Sequence, residues 1–217
     1  MSKILITAAA SILLLPLAAH AQSVEVGARV STLGAGAEIG ANVNPHLRIR
    51  GIVNGWDHSH DNTSDNIRYN GKIKLASAGV QLDYRPVENG SFYVTGGLYS
   101  NSNKVNERAT PTQNTQIGSV TYTPTEIGTI TAKGHFEHSA PYLGLGWDFP
   151  TAGPVSVNLE AGAYFQGHAH VDMSSNGTLS GDPAYQTELN KERQSLQRDL
   201  DKGKTWPVVA LGVRYQF

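Results

Sequence analysis

From Val24 onward, apolar and polar residues change places at almost every step, the period of a β-strand with two unlike faces. Val24, Val26, Ala28 and Val30 alternate with Glu25, Gly27, Arg29 and Ser31. The phase flips at Leu33-Gly34, and Ala37, Ile39, Ala41 and Val43 then alternate with Glu38, Gly40 and Asn42. Such a flip marks a tight turn or a bulge. The cleanest alternation closes the sequence, where Val209, Leu211, Val213, Tyr215 and Phe217 are separated by single residues that include Arg214 and Gln216. Continued along the chain, the pattern predicts eight strands, at about 24–32, 35–43, 47–57, 67–85, 91–104, 129–149, 155–173 and 206–217.

The connections between these strands alternate in length. "NPH", "PVENG" and "PTAG" are short, whereas 58–66, 105–128 and 174–205 are long and polar. One segment follows helical spacing instead. Tyr185, Leu189, Leu196 and Leu200 share one face, Asp182-Pro183 offers an N-cap and first helical residue, and Gly203 sits where a helix ends. This predicts an amphipathic helix over about 184–202, a lid or loop helix packing its leucine stripe on the barrel rim. Its polar face is not basic enough to argue for binding a membrane surface.

Alternation alone fits a soluble sandwich, with the apolar face inward, as well as it fits a membrane barrel with the apolar face against lipid. Strand length separates the two. Most of the predicted strands reach the ~9 residues of a tilted membrane strand, and soluble strands run about 5–6. Aromatic residues also gather at strand ends. Tyr84, Phe92, Trp147, Phe149, Tyr215 and Phe217 lie beside the short turns, and Trp56, Tyr99 and Trp206 toward the long loops. Two interfacial girdles are the expectation. The fold class expected is therefore all-β, an eight-stranded antiparallel transmembrane β-barrel with short periplasmic turns, long extracellular loops and one helix in the last loop.

The start of the chain supports export. Lys3, the apolar run 4–17 and the small-residue site Ala19-His20-Ala21 form a signal peptide, cleaved after Ala21. The run is shorter than the ~20 residues that span a bilayer. Domain organisation is then signal peptide 1–21 and barrel 22–217. Losing Lys3 takes the net charge from −1 to −2, which argues against nucleic acid as a partner. Without cysteine there is no disulfide framework and no thiolate chemistry.

"GVRYQF" at 212–217 resembles the C-terminal assembly signal of bacterial outer-membrane barrels. The mature chain as a whole resembles the small eight-stranded porin-like family that includes the outer membrane protein W and outer membrane protein A barrels. "APYLGLGWDF" at 140–149 and "WPVVALGVRYQF" at 206–217 carry the likeness. The resemblance implies a monomer in the bacterial outer membrane, in contact with outer-membrane lipid and lipopolysaccharide. It also implies recognition by the barrel-assembly machinery through Val213, Tyr215 and Phe217. The helix at 184–202 departs from the simplest members.

On the polar faces, Glu25, Arg29, Glu38, Arg48, Arg50, Lys72, Lys74, Asp83, Lys133, Glu137, Glu160 and Arg214 are expected to point into the lumen. An eight-stranded barrel has room there for side chains and little else. Mixed charges in that space should pair, because an unpaired buried charge is costly. A plugged lumen is expected, with a narrow polar pore as the rival.

Histidines come as near pairs: His58 and His60, His135 and His138, His168 and His170. Pairing outward from "PTAG" brings 134–136 opposite 168–170. His135, His168 and His170 are then a candidate zinc or copper set, with a polar, pH-responsive rim as the plainer reading. No cofactor is expected. Outer-membrane lipid A deacylases place a His and a Ser on a barrel, but His138-Ser139 are adjacent and point to opposite faces of a strand. No enzymatic activity is expected. The function expected is porin-like or structural, with slow passage of small solutes or apolar molecules.

Overall fold

The computed structural model describes residues 23–64, 66–88 and 90–217. The signal-peptide reading of 1–21 lies outside the described residues. In chain order the strands are β1 (Ser23–Ser31), β2 (Gly34–Asn44), β3 (Leu47–Ser64), β4 (Ile67–Tyr84), β5 (Phe92–Asn101), β6 (Lys104–Pro111), β7 (Thr115–Ile117) and β8 (Val120–Tyr122). The one-turn helix α1 (Pro124–Ile127) precedes β9 (Ile130–His135), β10 (Ser139–Pro150), β11 (Val155–Phe165) and β12 (His170–Ser175). Helix α2 (Pro183–Asp201) and β13 (Thr205–Gln216) complete the order.

Eight of the strands form a closed antiparallel ring, in the order β4, β3, β2, β1, β13, β11, β10, β5 and back to β4. The first and last ring strands pair from Glu25 opposite Gln216 to Ser31 opposite Ala210. The joint between β1 and β2 is the tight turn read from the phase flip. Gly34 there has φ 109°, a conformation open to glycine and costly for residues with a Cβ. Leu33 beside it is buried and belongs to a cluster with Ile52, Tyr99, Ala140, Tyr142, Tyr164 and Val208 that fills the upper lumen.

The outer surface is apolar in register. Ala35, Val30, Leu211, Leu159 and Trp147 stand opposite one another across five strands. Val53, Ala37, Ala28, Val213, Val157 and Phe149 form the next row. Many of these side chains are exposed, Val30 at 59%, Leu143 at 59% and Leu211 at 52%. Leaving each such side chain in water forgoes about 1.5–3 kcal/mol of burial, and a contiguous band of them is rare on soluble monomers. A transmembrane barrel meets lipid with this band.

The long connections are structured, unlike the loops expected. β3 and β4 each run 18 residues and stay paired to Ser64 opposite Ile67. The stretch 58–66 was read as a loop because it lacks alternation. Its strand portion stands above the barrel with both faces polar, so no apolar period marks it. Within 105–128, β6 pairs with both β4 and β9, and β7 pairs with β8. The strand read at 129–149 is interrupted at 136–138, and that at 155–173 at 166–169. Upper β3, upper β4, β6, β9 and β12 thus form a sheet rising from one side of the barrel.

Helix α2 covers one face of that sheet, where the sequence suggests packing on the barrel rim. Asp182 caps it by accepting the Tyr185 N–H at 2.9 Å. Tyr185 and Leu189 bury themselves with Ile117, Tyr122 and Ile127, and Ile130, Met173 and Leu179 pack against them. This is a second, smaller core, separate from the lumen.

Candidate functional site

The lumen below the aromatic cluster holds a continuous ionic network to which every ring strand contributes. The alternation of each strand dictates which residues enter it. Glu25 and Arg29 come from β1, Glu38 from β2, Arg48 and Arg50 from β3 and Asp83 from β4. Tyr93 comes from β5, Asp148 and Tyr142 from β10, Glu160 from β11 and Arg214 from β13. Arg50 is the hub. Its Nε donates to Asp83 Oδ2 at 2.7 Å, its Nη2 to Glu160 Oε2 at 2.7 Å and to Asp83 Oδ1 at 2.9 Å, and its Nη1 to Glu38 Oε2 at 3.2 Å. Arg48 bridges Asp83 at 2.7 Å, Asp148 at 3.0 Å and Glu25 at 3.1 Å. Arg29 reaches Glu38 and Glu160, both at 3.4 Å, and Arg214 joins Glu38 to Asp148.

Glu160 also accepts from Tyr142 Oη at 2.8 Å and Tyr93 Oη at 3.2 Å. The Tyr93 ring lies in the middle, with the guanidinium carbons of Arg48 and Arg50 at 4.9 and 5.5 Å from its centre. Arg50, Asp83, Tyr93 and Glu160 are all 0% exposed. The arrangement can do one thing chemically, which is to neutralise charge across the lumen. Five guanidiniums, counting Arg85 on Asp148, face five carboxylates. Below it, at the short-turn end, a vestibule of about 450 Å³ is lined by Glu25, Asn42, Arg48, Arg85 and Asp148.

Of the charges expected in the lumen, Glu25, Arg29, Glu38, Arg48, Arg50, Asp83, Glu160 and Arg214 are buried there. Lys72, Lys74 and Lys133 stand in the sheet above the barrel and are exposed. Glu137 is exposed beside His170. Lys72 and Lys74 share the outward phase of Val80 and Leu82 on β4, which pairs with β3 without a register shift, so strict alternation from inward Asp83 would have excluded them. Lys133 and Glu137 lie at or beyond the interruption at 136–138, across which the phase of β10 does not carry. Asp148 was missed, although it sits in phase between outward Trp147 and Phe149. Alternation was the signal that could have found it. Tyr93 and Tyr142 were missed because a tyrosine fits a girdle as readily as a lumen. Tyr99, assigned to the upper girdle, is buried in the lumen and donated to by Gln81 at 2.9 Å. Trp56 and Trp206 likewise share the phase of inward Asn54 and Val208, at the rim.

The histidines do not assemble into a metal site. His135 pairs with His170, their rings stacked with centres 5.2 Å apart. His168 turns away, its Nδ1 3.5 Å from Asp201 on α2, and His170 Nε2 lies 3.0 Å from Glu137. Among the described residues no group of three His, Cys, Asp or Glu side chains converges as metal ligands would. The interruptions cause this. Three residues separate β9 from β10 and four separate β11 from β12, so the register slips by one.

No protein-family model matches the chain, and neither does any curated protein sequence. Solved structures do. The chain is similar to CarO2 of Acinetobacter baumannii, with a TM-score of 0.59 and 23% identity over 90% of this chain and 98% of that one. It is also similar to CarO of Acinetobacter baumannii, with a TM-score of 0.56 and 22% identity over 89% of this chain and 97% of that one. At this identity the likeness concerns fold, and it joins the closed ring and apolar outer band in one conclusion. The chain has the fold of the small eight-stranded bacterial outer-membrane β-barrels.

Proposed function

We propose that the protein resides in the bacterial outer membrane as a monomeric barrel whose lumen is closed at rest, so that it acts through its exposed surface and as a structural element of the envelope. The observation that carries this is the ionic network. Arg48, Arg50, Tyr93 and Glu160 meet in mid-lumen with at most 1% exposure, and the Tyr99–Tyr142–Tyr164 cluster lies above them. A porin-like pore needs weakly held groups along an open path. Here each charged group is held by several partners from other strands. In this reading the outer band meets lipid, the paired-strand sheet faces outside the cell, and the assembly machinery engages the outward Val213 and Tyr215 of β13 together with Phe217 just beyond it.

Conductance across a planar bilayer tests the closed lumen. The refolded protein, shown to be folded by its fast migration on an unheated gel, is expected to give no steady openings. Steady unitary openings would overturn the closed reading in favour of slow solute passage.

A further inference from the structure

The inner face of the sheet above the barrel carries a carboxylate among apolar residues. Taken two residues at a time, β4 shows Ile73, Gly71, Tyr69 and Ile67 on the side that continues inward Asp83 and Gln81. β6 sets Val105, Glu107, Ala109 and Pro111 opposite them. The row through Glu107 runs His60, Gly71, Glu107, Ala132 and Met173. Its immediate flanks are thus a glycine and an alanine, and the next row holds Tyr69, Ala109 and Ile130. Arg68 and Arg108 fall on the other face of the same strands.

Helix α2 and the β7–β8 hairpin do not fill the space in front of this carboxylate. A hollow of about 230 Å³ remains, walled by Tyr69, Ile117, Ile130, Met173, Leu189 and Leu196. Leu189, Glu192 and Leu196 stand at helical spacing and turn one face of α2 toward it. Its rim is held in place by two hydrogen bonds. Glu192 Oε1 accepts the Gly118 N–H at 2.9 Å, and Glu188 Oε2 accepts the Ser119 N–H at 2.9 Å, which ties the hairpin turn to α2. The charged groups lining the hollow are Glu107 and Glu192. No cation lines it, and neither carboxylate makes an ion pair among the described residues. His60, the titratable neighbour in the row, lays its ring over the bare backbone of Gly71 and makes no ion pair with Glu107. A half-buried carboxylate facing apolar groups is costly unless a counter-charge meets it.

We propose that this hollow binds a small organic ammonium ion with an apolar body, a ring or short alkyl chain carrying a cationic nitrogen. The ammonium donates to Glu107, and Tyr69, diagonal to Glu107 on the same face, brings an aromatic ring within reach of the cation. The apolar body lies against Ile130, Met173, Leu189 and Leu196. The volume is below the ~300 Å³ of pockets that hold drug-sized ligands, which limits the body to about one ring. A metal ion fits less well, since calcium takes about six to eight oxygens and the walls here are apolar. The proposal gives a ligand to the exposed surface described above, and it rests on that reading for access from outside the cell.

The test uses the full mature protein refolded in phosphatidylcholine vesicles. Binding is followed by calorimetric titration at about pH 8, where histidine is neutral and an alkylammonium is charged. The probes are phenethylamine, the neutral phenethyl alcohol and the anion hydrocinnamate, with empty vesicles to correct for partition into lipid. Wild type is expected to bind the amine saturably, and the alcohol and the anion at least about tenfold more weakly, for want of a charge-assisted hydrogen bond. Glu107→Gln, which keeps the shape of the side chain, is expected to lose the same factor for the amine. Ala132→Leu, which fills the hollow, is expected to abolish binding. Asp172→Asn, on the other face of the same sheet, is expected to bind as wild type does. Equal binding of amine and alcohol would overturn the proposal, as would unchanged binding of the amine by Glu107→Gln. Inserted wild-type protein that gives no saturable binding would overturn it too. Failure to insert would overturn the membrane reading instead, and the same titration in detergent micelles would then decide the hollow by itself.

Discussion

Arg50 and Glu160 meet at 2.7 Å in the middle of the lumen although 110 residues separate them in the chain. Neither side chain touches water. The pair links β3 to β11 across the barrel, where no backbone hydrogen bond connects those strands. Its two charges are tolerable only because Asp83, Glu38, Arg29 and two tyrosine hydroxyls complete the set.

Removing one member should therefore cost more than a surface ion pair is worth. Glu160→Ala strips a partner from Arg50 and Arg29 and leaves Tyr93 and Tyr142 without their acceptor. Breaking a buried pair from one side costs about 3–5 kcal/mol, and a loss of that order is expected in urea unfolding of the vesicle-inserted barrel. A change below about 1 kcal/mol, the usual worth of an exposed pair, would mean that water enters the lumen and screens the network.

Gly146 supports the same centre from the wall. A Cβ built there would lie 2.1 Å from Tyr93 Cζ, so the ring is held against bare backbone. Gly146→Ala should push Tyr93 off the arginines and destabilise the barrel by about 1–3 kcal/mol, the usual cost of overpacking. Equilibrium unfolding reads the loss. A wild-type midpoint would show that Tyr93 has other room.

The three tryptophans offer a map of depth. Trp147 is outward, 5.0 Å from Phe92 in the lower aromatic belt, while Trp56 and Trp206 follow the inward phase at the opposite rim. In single-tryptophan variants, brominated lipids should quench Trp147 strongly and Trp56 weakly, and aqueous iodide should do the reverse. Equal quenching of Trp56 and Trp147 by lipid would contradict the band read from the outer face.

Acid should loosen α2 before it affects the barrel. Glu188 is held below the ordinary carboxylate range by the Lys191 ammonium and by the Ser119 backbone N–H, and Asp201 by the Ala169 backbone N–H. Both pKa values are lower folded than unfolded. Their contribution to docking is thus whole above the unfolded values, near 4.5 for Glu and 3.8 for Asp. It is lost as pH falls through the depressed folded ones. Hydrogen exchange across 183–201 should rise below about pH 4 while β13 stays protected. Glu188→Gln should raise exchange at neutral pH and flatten the acid dependence. An acid response confined to the barrel strands would reject this.

Much of the architecture was legible because the barrel imposes a strict period of two. Val213 and Arg214 must face opposite ways in any strand, and once the apolar side is assigned to lipid the buried charges follow. Glu25, Arg29, Glu38, Arg48, Arg50, Glu160 and Arg214 could be named from alternation alone. The turn at Leu33-Gly34 and the helix behind Asp182-Pro183 were also written locally, in a phase flip and a cap.

What needed the tertiary structure was height, partner and register. Asn54 and His58 share the inward phase of Arg48 on β3, but Asn54 is buried in the lumen and His58 stands above it in water. Alternation specifies a face and carries no measure of distance along the barrel axis. The same limit let Tyr99 pass for a girdle residue, and His168 falls in the interruption between β11 and β12, so among the histidines His135 pairs with His170 alone. Side-chain direction is a local property of two neighbouring peptides, so the sequence determines it. Which charges meet across a lumen depends on eight strands closing at one stagger, and only the closed ring decides that.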